Sequence, residues 1–397
     1  MQDSNNRGFL FAAQDFEEWV KVGKIVGIDP SKMSEQITSA SVDLRISNEA
    51  WIVEREIATS LRWARDIRSE LKSLPASKCK HITFNAEKPC IIEPGFSYIV
   101  PCNEIIHLDK FQKGDLSTKQ IVTNSPKSTS ARKFEDVRVF FEGRSQFDET
   151  HNVKDKPVIV KPWILLDPTH FRSYLYPGLD LTQLRISQGV DTKLSAQEIL
   201  EEHKKYGIVN IIDEKGNITP IETLDIDPNN NIRIRLNLRS RDGKKFAEKI
   251  TIHPKQGYLL ESKEYLRVPS HLSLEMIQYS ASAIRTITHK GGYFDPGFEG
   301  TVIGEVESVE DVSRDVHDGE HIYLFAVHRH REPTIRPYGN NSNYQKQIGA
   351  RYSKNFDPAI VDPKTIIGWV TKKTDKIMDL RKKAHQNVFD FYDPIVK

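Results

Sequence analysis

The chain has 397 residues, of which 38% are hydrophobic and 28% charged, a balance that suits a globular protein of two domains and excludes a largely disordered one. Lys and Arg number 57 against 55 Asp and Glu, a formal charge of +2, so bulk charge gives no reason to expect DNA, RNA or a membrane as partner, and any anion site is local. The opening MQDSNNRGFLFAAQDFEEWV lacks the basic start and continuous apolar core of a secretory signal, and no apolar run nears the roughly 20 residues of a membrane span. A cytoplasmic location is the default expectation. Cys79, Cys90 and Cys102 are odd in number and never spaced C-x-x-C, which points to neither a disulfide framework nor a structural zinc site.

In chain order, residues 12–27 place Phe16, Trp19, Val20 and Ile25 at helical spacing and predict one short amphipathic helix. A long region of β-branched, alternating runs follows: CIIEPGFSYIVP (90–101), DVRVFFEG (136–143) and KPVIVKPWILL (156–166), then IRIRLNL (232–238) and TIIGWVTK (365–372). Pro, Gly, Asn and Asp punctuate them, and the class expected is mainly β, a sandwich or jelly roll. SAQEILEEHKKYG predicts the clearest interior helix, with Ser195 and Glu198 as a capping box and Gly207 as its stop. The expected domains are 1–194 and 195–373, with 374–397 as an amphipathic helix and solvated tail.

An internal repeat organises these strands. CIIEPGFSYIVPCNEIIHLD set against ITIHPKQGYLLESKEYLRVP aligns Pro94 with Pro254, Tyr98 with Tyr258 and Glu104 with Glu264, all 160 residues apart. Each copy then runs to a Ser-x-x-x-Arg position: Ser128 and Arg132 in PKSTSAR, and Arg285 in YSASAIR, where Ala281 takes the serine's place. The chain reads as one β fold written twice.

Chemistry concentrates in a few stretches. In FDPGFEGTVIGEVES, Pro296 and Gly297 have the residue types of a type II turn. The strand after it puts Thr301, Ile303, Glu305 and Glu307 on one face. Spacing alone leaves two readings of Glu305: an edge strand whose polar face meets water, or a general acid/base whose pKa is raised by desolvation. Gly304 suggests close approach of a ligand or another backbone. PKSTSAR packs hydroxyls between cations, either as a flexible loop or as a cradle for phosphate oxygens. The segment RPYGNNSNYQKQIGARYSKNF could fold over a nucleotide or hang as a tail. P-loop and dinucleotide glycine patterns are absent, and so is the H-x-E with P-C-x-x-C of the zinc-dependent base deaminases. HRHR (328–331) aligns two histidines without acid or thiol ligands beside them in sequence.

The order SASVDLRIS (39–47), EPGFSYIVP, NSPKSTSAR, YFDPGFEGTVIGEVES and NYQKQIGARYSK resembles the dCTP deaminase branch of the dUTPase superfamily. More closely, it resembles the double-length bacterial 2′-deoxycytidine 5′-triphosphate deaminases, over residues from about 30 to 355. The resemblance implies a duplicated dUTPase-like β-clip or jelly-roll fold with short flanking helices, and homo-oligomers with trimer-like rings whose sites lie between neighbouring domains. It also implies dCTP as substrate and dUTP and ammonia as products, with Mg²⁺ carried by the triphosphate, no metal ligands on the protein and no zinc. Glu305 falls on the family's catalytic glutamate, with Arg132 and Ser128 beside it in the catalytic set. Lys127, Thr129 and Ser130 fall on the phosphate segment, Asp295 on the sugar side of the pocket, Ile303 and Gly304 on the base-reading strand, and Tyr338 and Gln347 on the C-terminal cover. Arg285, the second repeat's counterpart of Arg132, joins the substrate-binding candidates.

Three departures qualify the likeness. The C-terminal repeat has Ala281, Tyr279 and Asn343 where single-domain members keep a serine, a glycine and a lysine. The N-terminal repeat has Leu165 at or near the acid's place. The halves thus look complementary, with the phosphate loop from one and the acid from the other, in one chain or across two. A dUTP diphosphatase or a bifunctional dCTP-to-dUMP enzyme is the competing activity, and a non-catalytic nucleotide-binding regulator is the third reading.

Overall fold

The computed structural model describes residues 7–61, 66–108, 119–141, 150–152, 158–189, 191–213, 215–238, 248–254, 257–277, 287–289, 291–308, 313–339, 342, 344–350 and 353. The strand expected over 365–372, the helix expected from Thr374, and Arg285, Ala281, Tyr279 and Asn343 lie outside the described residues.

Helix α1 (Ala13–Lys21) buries Phe16, Trp19 and Val20. It is shorter than the expected 12–27, because Gly23 turns the chain out at φ 74° and Ile25–Val26 pair instead as a short strand with Ile105 and Ile106. The N-terminal repeat continues through β1 (Val42–Arg45), β2 (Glu49–Val53), α2 (Arg55–Ser60), α3 (Ile67–Ser73), β3 (Cys79–Thr83), β4 (Ser97–Pro101) and β5 (Lys119–Pro126). It closes with α4 (Ser128–Ala131), β6 (Glu135–Phe141), β7 (Pro162–Pro168) and β8 (Asp180–Gln188). One sheet sets β8 between β1 and β5, all antiparallel. The other runs in the order β6, β7, β4, β2, β3. Alternating inward residues from both sheets, among them Val42, Leu44, Val122 and Leu184 facing Val100, Val139, Ile164 and Leu166, meet in one core.

The helices α2 and α3 fall in a region read from sequence as strand. Ile57 and Leu61, then Ile67 and Leu71, recur at the four-residue spacing of a helix face, a signal that the surrounding β-branched runs mask.

The C-terminal repeat begins with α5 (Ala196–Tyr206), which carries the expected capping box between Ser195 and Glu198 and ends on Gly207 in the left-handed conformation. Its sheet is built on β9 (Asn231–Asn237), β10 (Gly257–Arg267), β11 (Leu272–Ile277), β12 (Glu299–Ser308) and β13 (His321–Arg329). β10 pairs with β12, and β13 lies between β9 and β11. A second core gathers Ile232, Ile234, Tyr258, Leu266, Val302 and Phe325. The protein is therefore mainly β. Among the described residues no helix is long and apolar enough to cross a membrane.

The two repeats share hydrogen bonds as well as spacing. The Tyr98 hydroxyl accepts from the Glu93 N–H at 3.0 Å, and the Tyr258 hydroxyl accepts from the His253 N–H at 2.9 Å. Buried Glu104 accepts the Arg45 backbone N–H at 3.1 Å, and buried Glu264 accepts that of Arg235 at 2.9 Å. Both pairs place a buried acceptor on a backbone N–H at the same point of each repeat, a shared task for the recurring tyrosine and acid.

The repeats are locked together near α4. Phe134 and Phe171 of the first pack on Leu259 and Ile303 of the second. His170 Nε2 meets Glu307 Oε2 at 2.9 Å, and the Thr334 hydroxyl donates to the Ser39 carbonyl at 2.6 Å. Phe134 holds a positive φ of 57°, a strained place for a bulky residue. Its ring fills the space above Gly257, where a Cβ would stand 2.5 to 2.7 Å from ring carbons. Gly257→Ala is therefore expected to push the repeats apart and cost about 1–3 kcal/mol by overpacking. A lowered denaturant midpoint with an unchanged m-value checks this.

Candidate active site

The turn before β12 is closed by the Phe298 N–H donating to the Asp295 carbonyl at 3.0 Å, with Gly297 at φ 89°. A Cβ on Gly297 would also stand 2.6 Å from Pro337 Cβ and 2.8 Å from the Tyr338 nitrogen. The glycine thus lets residues 337–338 lie on the turn, where the Tyr338 N–H donates to the Pro296 carbonyl at 2.7 Å. Past the turn, the alternation of β12 sends Ile303 and Glu305 into a cleft of about 570 Å³ between the two repeats.

Glu305 is 3% exposed. Burial raises its pKa above the usual 4.5, while the Arg132 guanidinium and the Gly291 N–H pull the other way. Arg132 Nε stands 3.7 Å from Glu305 Oε1, and the Gly291 N–H donates to Oε2 at 3.3 Å. Gly291 is closely packed: a Cβ would lie 3.0 Å from the Ala131 methyl and 3.3 Å from that same Oε2, and both would have to shift to admit it. Arg132 belongs to the N-terminal repeat and Glu305 to the C-terminal one, and a single chain brings them together.

Arg132 is the residue at which α4 ends, equally buried, and clasped on its remaining sides. Its guanidinium lies 3.8 Å from the centre of the Tyr344 ring and donates to Gln347 Oε1 at 3.1 Å. Gln347 is in turn fixed to β12, its carbonyl accepting the Thr301 N–H at 3.0 Å and its amide donating to the Thr301 carbonyl at 3.3 Å. The Ser353 hydroxyl donates to the Thr129 carbonyl at 2.7 Å and ties the segment beyond Gln347 to α4.

Asp295 is buried, and one carboxyl oxygen has no hydrogen-bond partner in the protein. Burial raises its pKa to about 7, against the pull of Arg185 and with a push from Asp43. A buried carboxyl left in that condition is costly unless a ligand donor meets it. Lys127, which precedes α4, is held by ion pairs to Asp43 and Asp180. Burial works against its charge, but the two carboxylates outweigh that and raise its pKa. Its ammonium is thus neutralised within the protein, and it anchors the start of α4.

Lys127, Ser128, Thr129, Arg132, Asp295, Ile303, Glu305, Tyr338 and Gln347 all line the cleft. Ser130 and Gly304 do not: Ser130 is buried within α4, and Gly304 pairs with Leu260 on the opposite alternation of β12. The cleft also takes in Ser34, Thr38 and Ser39, Tyr293 and Arg336, the last paired with Glu17 at 2.7 Å. Ser39 opens the SASVDLRIS stretch, whereas Ser34 and Thr38 lie just before it and reach the site through the fold. Among the described residues no three His, Cys, Asp or Glu side chains group as metal ligands, and His328 of HRHR pairs with Glu275 at 3.4 Å.

Two family models match the chain. Residues 7–190 match the N-terminal domain of 2′-deoxycytidine 5′-triphosphate deaminase, and residues 222–356 match its C-terminal domain. The chain belongs to the dCTP deaminase family. Among curated dCTP deaminases named dUMP-forming, that of Methanobrevibacter smithii is 29% identical over 113 residues, 27% of this chain and 58% of its own length. The Beutenbergia cavernae protein of the same name is 24% identical over 171 residues, 42% and 79% of the two chains. Of the first relatives it matches, this chain spans about three fifths of the length. The crystal structure of the Agrobacterium tumefaciens dCTP deaminase superposes with a TM-score of 0.66 at 18% identity, over 83% of this chain and 97% of that one, and shows the same fold.

Proposed function

We propose that the cleft binds dCTP and replaces the 4-amino group of the cytosine by oxygen, releasing dUTP and ammonia. The observation that carries this is Glu305, a carboxylate with a raised pKa buried in a roomy cleft beside an arginine of the other repeat. Water adds across the C4–N3 double bond, and Glu305 takes one of its protons and delivers it to N3. The C4–N4 bond then breaks, the remaining hydroxyl proton passes through Glu305 to the departing amine, and C4 keeps the oxygen as a carbonyl.

The other groups divide the nucleotide among them. Ile303 offers the base an apolar wall, and the unpartnered oxygen of Asp295 suits a hydroxyl of the deoxyribose. The hydroxyls of Ser128 and Thr129, with Arg336, are placed for phosphate oxygens and for orienting the attacking water. Lys127, Arg132 and Arg336 in the cleft face Glu35, Asp295 and Glu305 in equal number. A triphosphate therefore needs its own counter-ion, and Mg²⁺ enters as part of the substrate. In this reading residues 1–194 and 195–373 are the two repeats, and one chain supplies both halves of the site.

The curated relatives' name, dUMP-forming, favours a second product. Here a further water splits the triphosphate and yields dUMP and pyrophosphate. Incubation with dCTP and Mg²⁺, following ammonia, dUTP, dUMP and pyrophosphate together, decides the matter. Ammonia with dUTP is the expected result, and ammonia with dUMP and pyrophosphate establishes the bifunctional course. No ammonia at all overturns the deaminase reading.

A further inference from the structure

The N-terminal repeat contains a second copy of the strand pair that holds Glu305. In the C-terminal repeat Leu259 of β10 lies opposite Glu305 of β12. In the N-terminal repeat Ile99 of β4, 160 residues before Leu259, lies opposite Leu165 of β7. Leu165 is thus the register equivalent of the acid, and Trp163 is the equivalent of Ile303.

The surroundings of the two copies differ. Around Glu305 the strand face is partly covered by Phe134 and Phe171 of the other repeat, and the cleft opens beside them. Around Leu165 the same face is shut by Ala58, Leu61, Ile67 and Leu71, which belong to or adjoin α2 and α3, in a cluster with Trp51, Ile99, Phe140 and Trp163. The Arg68 guanidinium lies over this cluster, 5.2 Å from the Trp51 ring centre and 5.7 Å from that of Trp163, and pairs with Glu49. All four covering side chains are buried.

The origin of that cover is visible in the repeat. Glu104 and Glu264 accept the backbone N–H of Arg45 and Arg235, so these pairs are equivalent landmarks. The stretch from Arg45 to Glu104 is about twice as long as that from Arg235 to Glu264. The excess holds α2, α3 and β3. We infer that this inserted segment stands in for a neighbouring repeat: it seals the N-terminal copy of the site, so among the described residues each chain has one working cleft and no second open face of this kind to offer another chain.

The nucleotide count below rests on the deaminase reading, but the sealing does not. Leu165→Glu, which restores the acid at the equivalent place, would bury an unpaired carboxylate against α2 and α3. Its unfolding midpoint is expected to fall by roughly 10 °C or more, while Leu165→Met stays within about 2 °C of the wild type. In the full chain carrying Glu305→Gln, titration with dCTP and Mg²⁺ is expected to saturate at one nucleotide per chain. Two nucleotides per chain, or a Leu165→Glu midpoint equal to the wild type, overturns the inference. A collapsed Leu165→Glu midpoint together with no bound dCTP supports the sealing and sinks the deaminase reading instead.

Discussion

Glu305→Gln is expected to lower kcat for deamination by at least about 10²–10⁴-fold, the usual contribution of a positioned general base, with a smaller change in stability at neutral pH than Arg132→Ala, because relief of a buried carboxylate opposes the loss of Arg132's partner. Both halves follow from one fact, the burial of this carboxyl. A glutamine keeps the shape and can still accept the Gly291 N–H, but it can take no proton from water and return none to the amine. The stability half depends on the sign of the pKa shift. Burial raises Glu305 above 4.5 in the folded protein, so its favourable contribution is present below that value and is lost as pH rises through the raised pKa. The amide removes the burial cost of the carboxylate and also the partner of Arg132 3.7 Å away, two effects of opposite sign. The base is active only when deprotonated, so the acid limb of the kcat profile is expected at a pH above that of an ordinary glutamate. Ammonia release measured across pH, beside thermal unfolding of the wild type and both variants at pH 7, checks each half. Substantial activity in the variant would remove Glu305 from the mechanism.

Such a test could be framed from the sequence because Glu305 and Leu165 sit in alternating strands, where a period of two specifies the face from the register alone. The duplication then supplied a comparison within one chain, and the pairing of Leu165 with Ile99 places it where the alignment did. The tyrosine and acid of each repeat were legible as positions, although their task, receiving backbone N–H groups, shows only in three dimensions. Other parts depend on the arrangement of the repeats. Ser34 and Thr38 reach the cleft by packing, which no local pattern encodes. Lys127 lies in a stretch with the chemistry of a phosphate loop, yet Asp43 and Asp180, far away in sequence, claim its charge. The helices α2 and α3 were hidden among strands because each is short, and their apolar residues serve one face of a sheet.

Arg132→Ala is expected to be the more damaging change to the fold and comparably damaging to activity. The side chain is 3% exposed and balances the buried charge of Glu305, and removing one partner of such a pair costs about 3–5 kcal/mol because the other is left uncompensated. It also withdraws the guanidinium from the Tyr344 ring and from Gln347, loosening the segment that covers the cleft. Arg132→Lys keeps a charge but cannot present a planar face to Tyr344 while reaching both Glu305 and Gln347, so it is expected to recover part of the stability and little of the activity. The double variant Arg132→Ala with Glu305→Gln separates charge from packing. If the loss in Arg132→Ala comes from the stranded carboxylate, the double variant is more stable than Arg132→Ala alone, a non-additivity that a thermodynamic cycle reads directly. If the loss comes from packing against Tyr344, the second substitution restores nothing. Mixing the two single variants then tests the arrangement itself. A site built within one chain gives no recovery of ammonia release, because neither chain holds both residues, whereas recovery would mean that Arg132 of one chain serves Glu305 of another.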